Sequence, residues 1–281
     1  MENAIEIKGL NKSFGDFALK DVNITLPKGY IMGFIGANGA GKSTTINAIL
    51  NLIKKDSGEI FVLGKEHTSL SMQDKADIGV VLDECCFSET LSRKDISKIL
   101  QNIYSNWDGE KFEALTKQFA IPPLRKIKEY SKGMKMKLSI AVALCHNAKL
   151  LILDEATSGL DPIVRDEILD ILLEFVQDEE HSVLLSSHIT SDLEKVCDYI
   201  TFIKNGEIVF SQTKDDIMEK YALLRCKNDD FAQLDRDCVI GYRQNSFATD
   251  ALVLRERMGD NFILDKASIE DIMLYYIKEG K

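Results

Sequence analysis

The stretch IMGFIGANGAGKSTTINAILNLI (31–53) decides the fold. It opens on a nearly continuous apolar run, IMGFIG, passes through a glycine-rich turn, and continues with apolar residues at helical spacing. Gly36–Ser43, GANGAGKS, fits the pattern G-x-x-x-x-G-K-[ST] in the strand–turn–helix setting that gives the pattern its meaning. Glycines let the backbone curl until successive N–H groups point at one centre. That nest and the helix N-terminus both present partial positive charge to a polyphosphate. Lys42 is placed to reach the β- and γ-phosphates of a nucleotide, and Ser43 to hold Mg²⁺.

Outward from this turn, alternating residues mark short strands before it: Ile5 and Ile7, then Val22, Ile24 and Leu26, with the turn pair Gly15-Asp16 between them. After it, LLILD (150–154) and VLLSS (183–187) are continuous apolar runs, which suit strands of a parallel sheet covered on both faces. Asn205-Gly206, between apolar runs in TFIKNGEIVF, is a two-residue hairpin signal. Residues 84–146 carry helical patterns over Lys94–Ile103 and Gly109–Phe119, broken by Pro122-Pro123. Beyond about Lys220 the spacing predicts short strands at Ala222–Cys226, Val239–Tyr242 and Ala251–Leu254. A final helix over Ser268–Ile277 is capped by Ser268.

The expected fold is α/β: a nucleotide-binding core with an antiparallel β subdomain, an α-helical subdomain at about 84–146, and a small α+β appendix at 221–281. The 281 residues, 45% apolar and 28% charged, suit a globular chain with a sizeable core. A formal net charge of −10 argues against broad capture of nucleic acid. No apolar run approaches the roughly 20 residues needed to cross a bilayer, and MENAIEIKGL lacks signal-peptide character; both place the chain in the cytoplasm. The cysteines at 85, 86, 145, 197, 226 and 238 contain no CxxC pair and read as buried or incidental thiols.

Asp154-Glu155 ends the LLILD strand, where ligands bind in open α/β sheets. Alone the pair reads equally as a polar strand cap. Beside a phosphate-binding turn, Asp154 suits the Mg²⁺ shell and Glu155 the polarisation of an attacking water. His188 follows the strand VLLSS; a single histidine there is more often structural than a phosphate contact.

Taken in chain order, these elements resemble the ATP-binding subunits of ABC (ATP-binding cassette) transporters, from about residue 4 to residue 215. GANGAGKST is the Walker A motif, so Gly36, Ala37, Asn38, Gly39, Ala40, Gly41, Lys42, Ser43 and Thr44 form the P-loop of a P-loop NTPase. YSKGM (130–134) falls where the family signature LSGGQ belongs, SGLD (158–161) matches the D-loop, and His188 matches the switch histidine. Phe14 stands where an aromatic stacks on adenine.

In this family two subunits meet head to tail around two ATP molecules. The resemblance therefore implies that Ser131 and the Gly133 N–H bind a γ-phosphate held by a second copy of the chain, with Asp161 in the nucleotide set. It also implies hydrolysis through Glu155 and His188, ATP and Mg²⁺ as ligands, a separate transmembrane permease as partner, and residence at the cytoplasmic face of a bacterial membrane. A soluble, non-transport ABC ATPase is the competing class. It usually carries a long coiled-coil insertion or two cassettes, and neither is present. A regulatory cassette with weak hydrolysis is the third reading.

Two departures from the family pattern stand out. Tyr130, Lys132 and Met134 replace the usual Leu, Gly and Gln of the signature, while Ser131 and Gly133 remain. Lys132 reads as a solvated charge ahead of a phosphate contact. In IGVVLDE the Q-loop glutamine is replaced by Asp83, which joins Ser43 and Asp154 as a candidate for the metal shell. Both departures, and the ending SIEDIMLYYIKE, resemble a subgroup of bacterial exporters of antimicrobial peptides, peptide toxins and drugs.

Overall fold

In the computed structural model, which describes residues 2–259 and 262–277, the IMGFI run is a strand, Ile31–Ile35, buried along its whole length. It pairs in parallel with Ser182–Ser186 on one side and Tyr199–Lys204 on the other. Leu150–Asp154 and Ile78–Val81 extend the sheet in parallel beyond Ser182–Ser186, and Glu207–Thr213 closes the opposite edge in antiparallel register. The continuous apolar runs follow from burial on both faces. Ile31, Leu151, Leu153 and Leu185 pack into one core, whereas Met32, Phe34, Ile152 and Leu184 pack into another. Alternate residues of a strand face opposite sides, so both sets must be apolar.

The second core lies against a four-stranded antiparallel sheet built on Asn3–Phe14, Phe17–Pro27, Ser57–Val62 and Lys65–Glu66. Ile5 lies opposite Leu26 and Ile7 opposite Ile24, so the alternating residues of both strands bury together. The Asn205-Gly206 hairpin ties this sheet to the main one. Both residues have positive φ, as a type I′ turn requires. The Gly206 carbonyl accepts from Lys20 N–H (2.9 Å), and Gly206 N–H donates to the Ala40 carbonyl (2.9 Å). A Cβ on Gly206 would stand 1.8 Å from the Ala18 carbonyl oxygen, so only glycine fits this crossing.

On the other face of the sheet lie helices Lys132–Leu144, Pro162–Phe175 and Thr190–Val196. Helices Arg93–Leu100 and Gly109–Gln118 join Lys132–Leu144 around Ile96, Phe112, Phe119, Leu138 and Val142. The pattern over Lys94–Ile103 folds as a helix as far as Leu100 and then turns, that over Gly109–Phe119 folds as a helix to Gln118, and Pro122-Pro123 lie in the non-helical link to the next helix.

Residues beyond Lys220 form a second antiparallel sheet, with Tyr221–Lys227 between Ala248–Leu254 and Leu264–Lys266, and Val239–Gln244 outermost. Tyr221 and Leu223 face the core of the main sheet, while Ala222 and Leu224 face a small core of their own with Phe231 and Val253. Helix Ile269–Ile277 adds Ile269, Ile272 and Tyr275 to the main core, and the Tyr221 and Tyr276 hydroxyls meet at 2.8 Å. Ser268 caps this helix: its Oγ accepts from Asp271 N–H (3.0 Å), and the Asp271 carboxylate accepts from Ser268 N–H (3.0 Å). The short helices Lys214–Lys220 and Asn228–Ala232 and the strand Leu264–Lys266 are additions to the sequence reading.

Candidate active site

The P-loop bends away from Ile35 with Gly39 and Gly41 at φ +80° and +117°, conformations that favour glycine. A Cβ on Gly36 would stand 2.5 Å from the Ile203 carbonyl, and one on Gly41 2.7 Å from Leu19, so the loop lies hard against its neighbours. Ala37, Asn38 and Gly39 are exposed, while Gly36 and Ala40 are buried. Helix Lys42–Ile49 starts directly at Gly41, with Ser43 exposed and Thr44 half-buried on its first turn.

Lys42 is 5% exposed. A buried ammonium is costly unless its charge is met, and here it is met three times. Its Nζ donates to the Gly36 carbonyl at 2.8 Å, lies 3.5 Å from the Ala37 carbonyl, and stands 3.3 Å from Glu155 Oε1. The last is a charge contact rather than an aligned hydrogen bond, and Glu155 Oε1 has no hydrogen-bond partner among the described residues.

Asp154 and Glu155 leave the end of their strand in different directions. Asp154 is buried and accepts from Ser186 Oγ at 2.5 Å. Glu155 has φ +52°, uncommon for a residue with a Cβ, and its N–H donates to the Ser186 carbonyl at 3.1 Å. The bend brings Glu155 Oε2 within 2.6 Å of His188 Nδ1. Since a carboxylate only accepts, Nδ1 carries the proton, and Nε2 is left for a further contact on a half-exposed ring. Lys42, Glu155 and His188, from the ends of three parallel strands, therefore form one row.

The remaining sequence-selected residues stand elsewhere in relation to this row. Phe14, at the end of its strand, is 45% exposed and has Lys12 Nζ 5.0 Å from its ring centre. Ser131 is the N-cap of helix Lys132–Leu144, its Oγ accepting from Met134 N–H at 3.2 Å, and Gly133 is half-buried in the same turn. Asp161 caps helix Pro162–Phe175 by accepting from Ile163 and Val164 N–H groups. Among the described residues, the side-chain partners of Ser131 and Lys132 are Met134 and Asp83, whereas those of Lys42 are Gly36, Ala37 and Glu155.

Asp83 pairs with Lys132 at 3.1 Å. Among the described residues no group of three or more His, Cys, Asp or Glu side chains converges to hold a metal, so Asp83 and Asp154 do not build an all-protein cage. Mg²⁺ takes one or two carboxylates plus substrate phosphates and keeps several waters. A buried Asp154 and an exposed Ser43 hydroxyl fit such a shell.

One further residue escapes the sequence reading. Asp192, 4% exposed, lies in the first turn of helix Thr190–Val196, and Arg165 Nε lies 3.4 Å from its Oδ1. Burial pushes its carboxyl above the usual range, against the pull of the Thr157 hydroxyl and Arg165.

The ABC transporter family model matches residues 19–158. The chain is 37% identical over 213 residues to the lantibiotic transport ATP-binding protein SrtF of Streptococcus pyogenes, spanning 75% of this chain and 91% of SrtF. It is 34% identical over 214 residues to the bacitracin transport ATP-binding protein BcrA of Bacillus licheniformis, spanning 74% of this chain and 69% of BcrA. Among solved structures, an ATP-binding subunit of an ABC transporter superposes with a TM-score of 0.67 at 27% identity, over 76% of this chain and 91% of that one. CbiO1 from Clostridium perfringens, part of the ABC transporter complex CbiONQ, shares the fold with a TM-score of 0.64 at 24% identity, over 77% of this chain and 91% of that one.

Proposed function

Since the chain belongs to the ABC transporter ATP-binding family, whose members hydrolyse ATP to drive transport, we propose that it powers export of antimicrobial peptides or drugs through a separate permease, as a head-to-tail homodimer. The observation that carries this reading is the row Lys42–Glu155–His188 beneath the P-loop. It supplies a phosphate cation, a carboxylate and a protonated imidazole nitrogen from three strand ends.

In this mechanism the triphosphate lies along the P-loop N–H groups and becomes the partner of Lys42 in place of Glu155. Glu155, released from that charge contact, orients a water against the γ-phosphorus and draws on its proton as the P–O bond to ADP breaks. His188, held through Nδ1 by Glu155, faces the γ-phosphate with its other nitrogen. Most of the rate gain comes from positioning and preorganised charge. Mg²⁺, held by Ser43 and Asp154, would neutralise charge across the β- and γ-phosphates.

Ser131 and Gly133 serve the second copy. The start of helix Lys132–Leu144 favours an anion through its unpaired N–H groups. The separate contact sets of Ser131 and Lys42 suit pockets completed between subunits. Among the described residues no helix is long and apolar enough to cross a membrane. In this reading a separate permease holds the chain at the cytoplasmic face, as the transporter relatives suggest. The names of SrtF and BcrA support peptide antimicrobials as cargo. Co-purification with a multi-span permease, and ATPase activity stimulated by such a peptide, tests the reading; ATP hydrolysis indifferent to both would overturn it.

A further inference from the structure

The two departures from the family pattern touch each other. Asp83 Oδ1 lies 3.1 Å from Lys132 Nζ, although the residues are 49 apart in sequence. A second pair follows: Lys135, one turn further along the same helix face, meets Glu89 at 3.2 Å. Loop 82–92 is thus tied to the start of helix Lys132–Leu144 by two lysines, across a cleft of about 470 Å³ also lined by Glu84, Tyr130 and Ser139.

The two ends of the loop are held differently. At the far end the backbone does the holding: Lys128 N–H donates to the Glu89 carbonyl (3.1 Å), Ile127 N–H to the Leu91 carbonyl (2.9 Å), and Ser92 bridges Lys126. At the near end the polar link to the first turn of this helix is the Asp83–Lys132 pair, with Cys85 and Phe87 packed against the core around Leu138 and Val142. Lys132 also borders a third segment, because a Cβ on Gly159, at φ +69°, would stand 3.5 Å from its ammonium. A lysine in the first turn of a helix opposes the helix dipole, and a carboxylate beside it offsets that cost.

We propose that Lys132 is a positioning residue. With Asp83 it forms the adjustable half of a clasp that sets where Ser131 and the turn Ser158–Asp161 sit relative to loop 82–92. This inference rests on the reading of Ser131 as a ligand of nucleotide held by a second copy. Both side chains are about half exposed, so the pair adds little to stability. Its effect lies in geometry: motion of the loop at Asp83 moves the signature and the neighbouring turn together.

The test uses the full chain carrying Glu155→Gln, with Asp83→Lys, Lys132→Asp and the double exchange. Two quantities are read: ATP-driven dimerisation by light scattering, and hydrogen exchange of the ATP-free monomer at residues 83–86 and 132–136. Each single reversal is expected to weaken dimerisation about two- to five-fold per site and to speed exchange in both segments, and Lys132→Asp is expected to leave monomer affinity for ATP unchanged. The double exchange is expected to restore both readouts to within about two-fold. Unchanged exchange in the single variants, or a double exchange no better than Lys132→Asp, overturns the clasp. If the Glu155→Gln parent never dimerises, the shared-pocket reading fails, and the exchange data still decide the clasp.

Discussion

Lys42 Nζ and Glu155 Oε1 stand 3.3 Å apart although they leave different strands, with Ser182–Ser186 lying between those strands in the sheet. The contact balances a buried cation against the carboxylate assigned to water activation. Glu155→Gln keeps the shape and one acceptor oxygen but removes the charge and the proton-accepting capacity. Turnover is expected to fall by about 10²- to 10⁴-fold, with ATP binding retained and a nucleotide-dependent dimer accumulating. Phosphate release and light scattering measure both; normal turnover would move the base to another residue.

Lys42→Ala removes the cation beside the P-loop carbonyls and leaves Glu155 Oε1 without its counter-charge. Charge-assisted contacts contribute about 1.5–3 kcal/mol, so nucleotide affinity should drop by roughly ten- to a hundred-fold. Calorimetric titration of the monomer reads this directly. Unchanged affinity would mean that the phosphates bind elsewhere.

Much of this is legible in the sequence because its signals are local. The P-loop, the acidic end of LLILD and the Asn205-Gly206 hairpin each rest on neighbouring residues, and each folds where its pattern places it. What escapes depends on long-range approach. Asp83 and Lys132 look like separate oddities, because nothing local tells a loop carboxylate that its partner lies on a distant helix. Asp192 looks like an ordinary acid in the first turn of a helix, and only folding buries it. The strand Tyr221–Lys227 reads as part of an appendix, yet its alternate residues divide between two cores, which no single-strand pattern reveals.

Asp95 gives a pH signature. Its carboxylate accepts from the Ser92 hydroxyl and N–H at the start of helix Arg93–Leu100, with Lys126 nearby, and these hold its pKa at about 2 against an ordinary 3.8. The sign follows from the depression: the stabilisation is complete above the unfolded pKa and is lost as pH falls through the folded one. Asp95→Asn should therefore melt below the parent chain at neutral pH, and the gap should narrow from about pH 4 downward and close near pH 2. A constant gap across that window would show that the charge of Asp95 is not what caps the helix.

Ser131 has an observed duty as a helix cap and a proposed one at the phosphate of a second copy, and substitution can separate them. Its Oγ accepts from Met134 N–H, so Ser131→Ala removes the cap of helix Lys132–Leu144 at a cost of about 1 kcal/mol, whereas Ser131→Gly costs only a few tenths. Both variants lose the hydroxyl proposed to reach a second copy. If the serine only caps, Ser131→Gly should dimerise with ATP almost as the parent does. If it binds phosphate between subunits, both variants should dimerise poorly while monomer affinity, set at the P-loop, stays put. The second outcome is expected. Thermal melting reports the cap, and ATP-dependent light scattering in the Glu155→Gln background reports the phosphate contact. A large loss of monomer affinity in either variant would place Ser131 at its own subunit's nucleotide and refute the shared pocket.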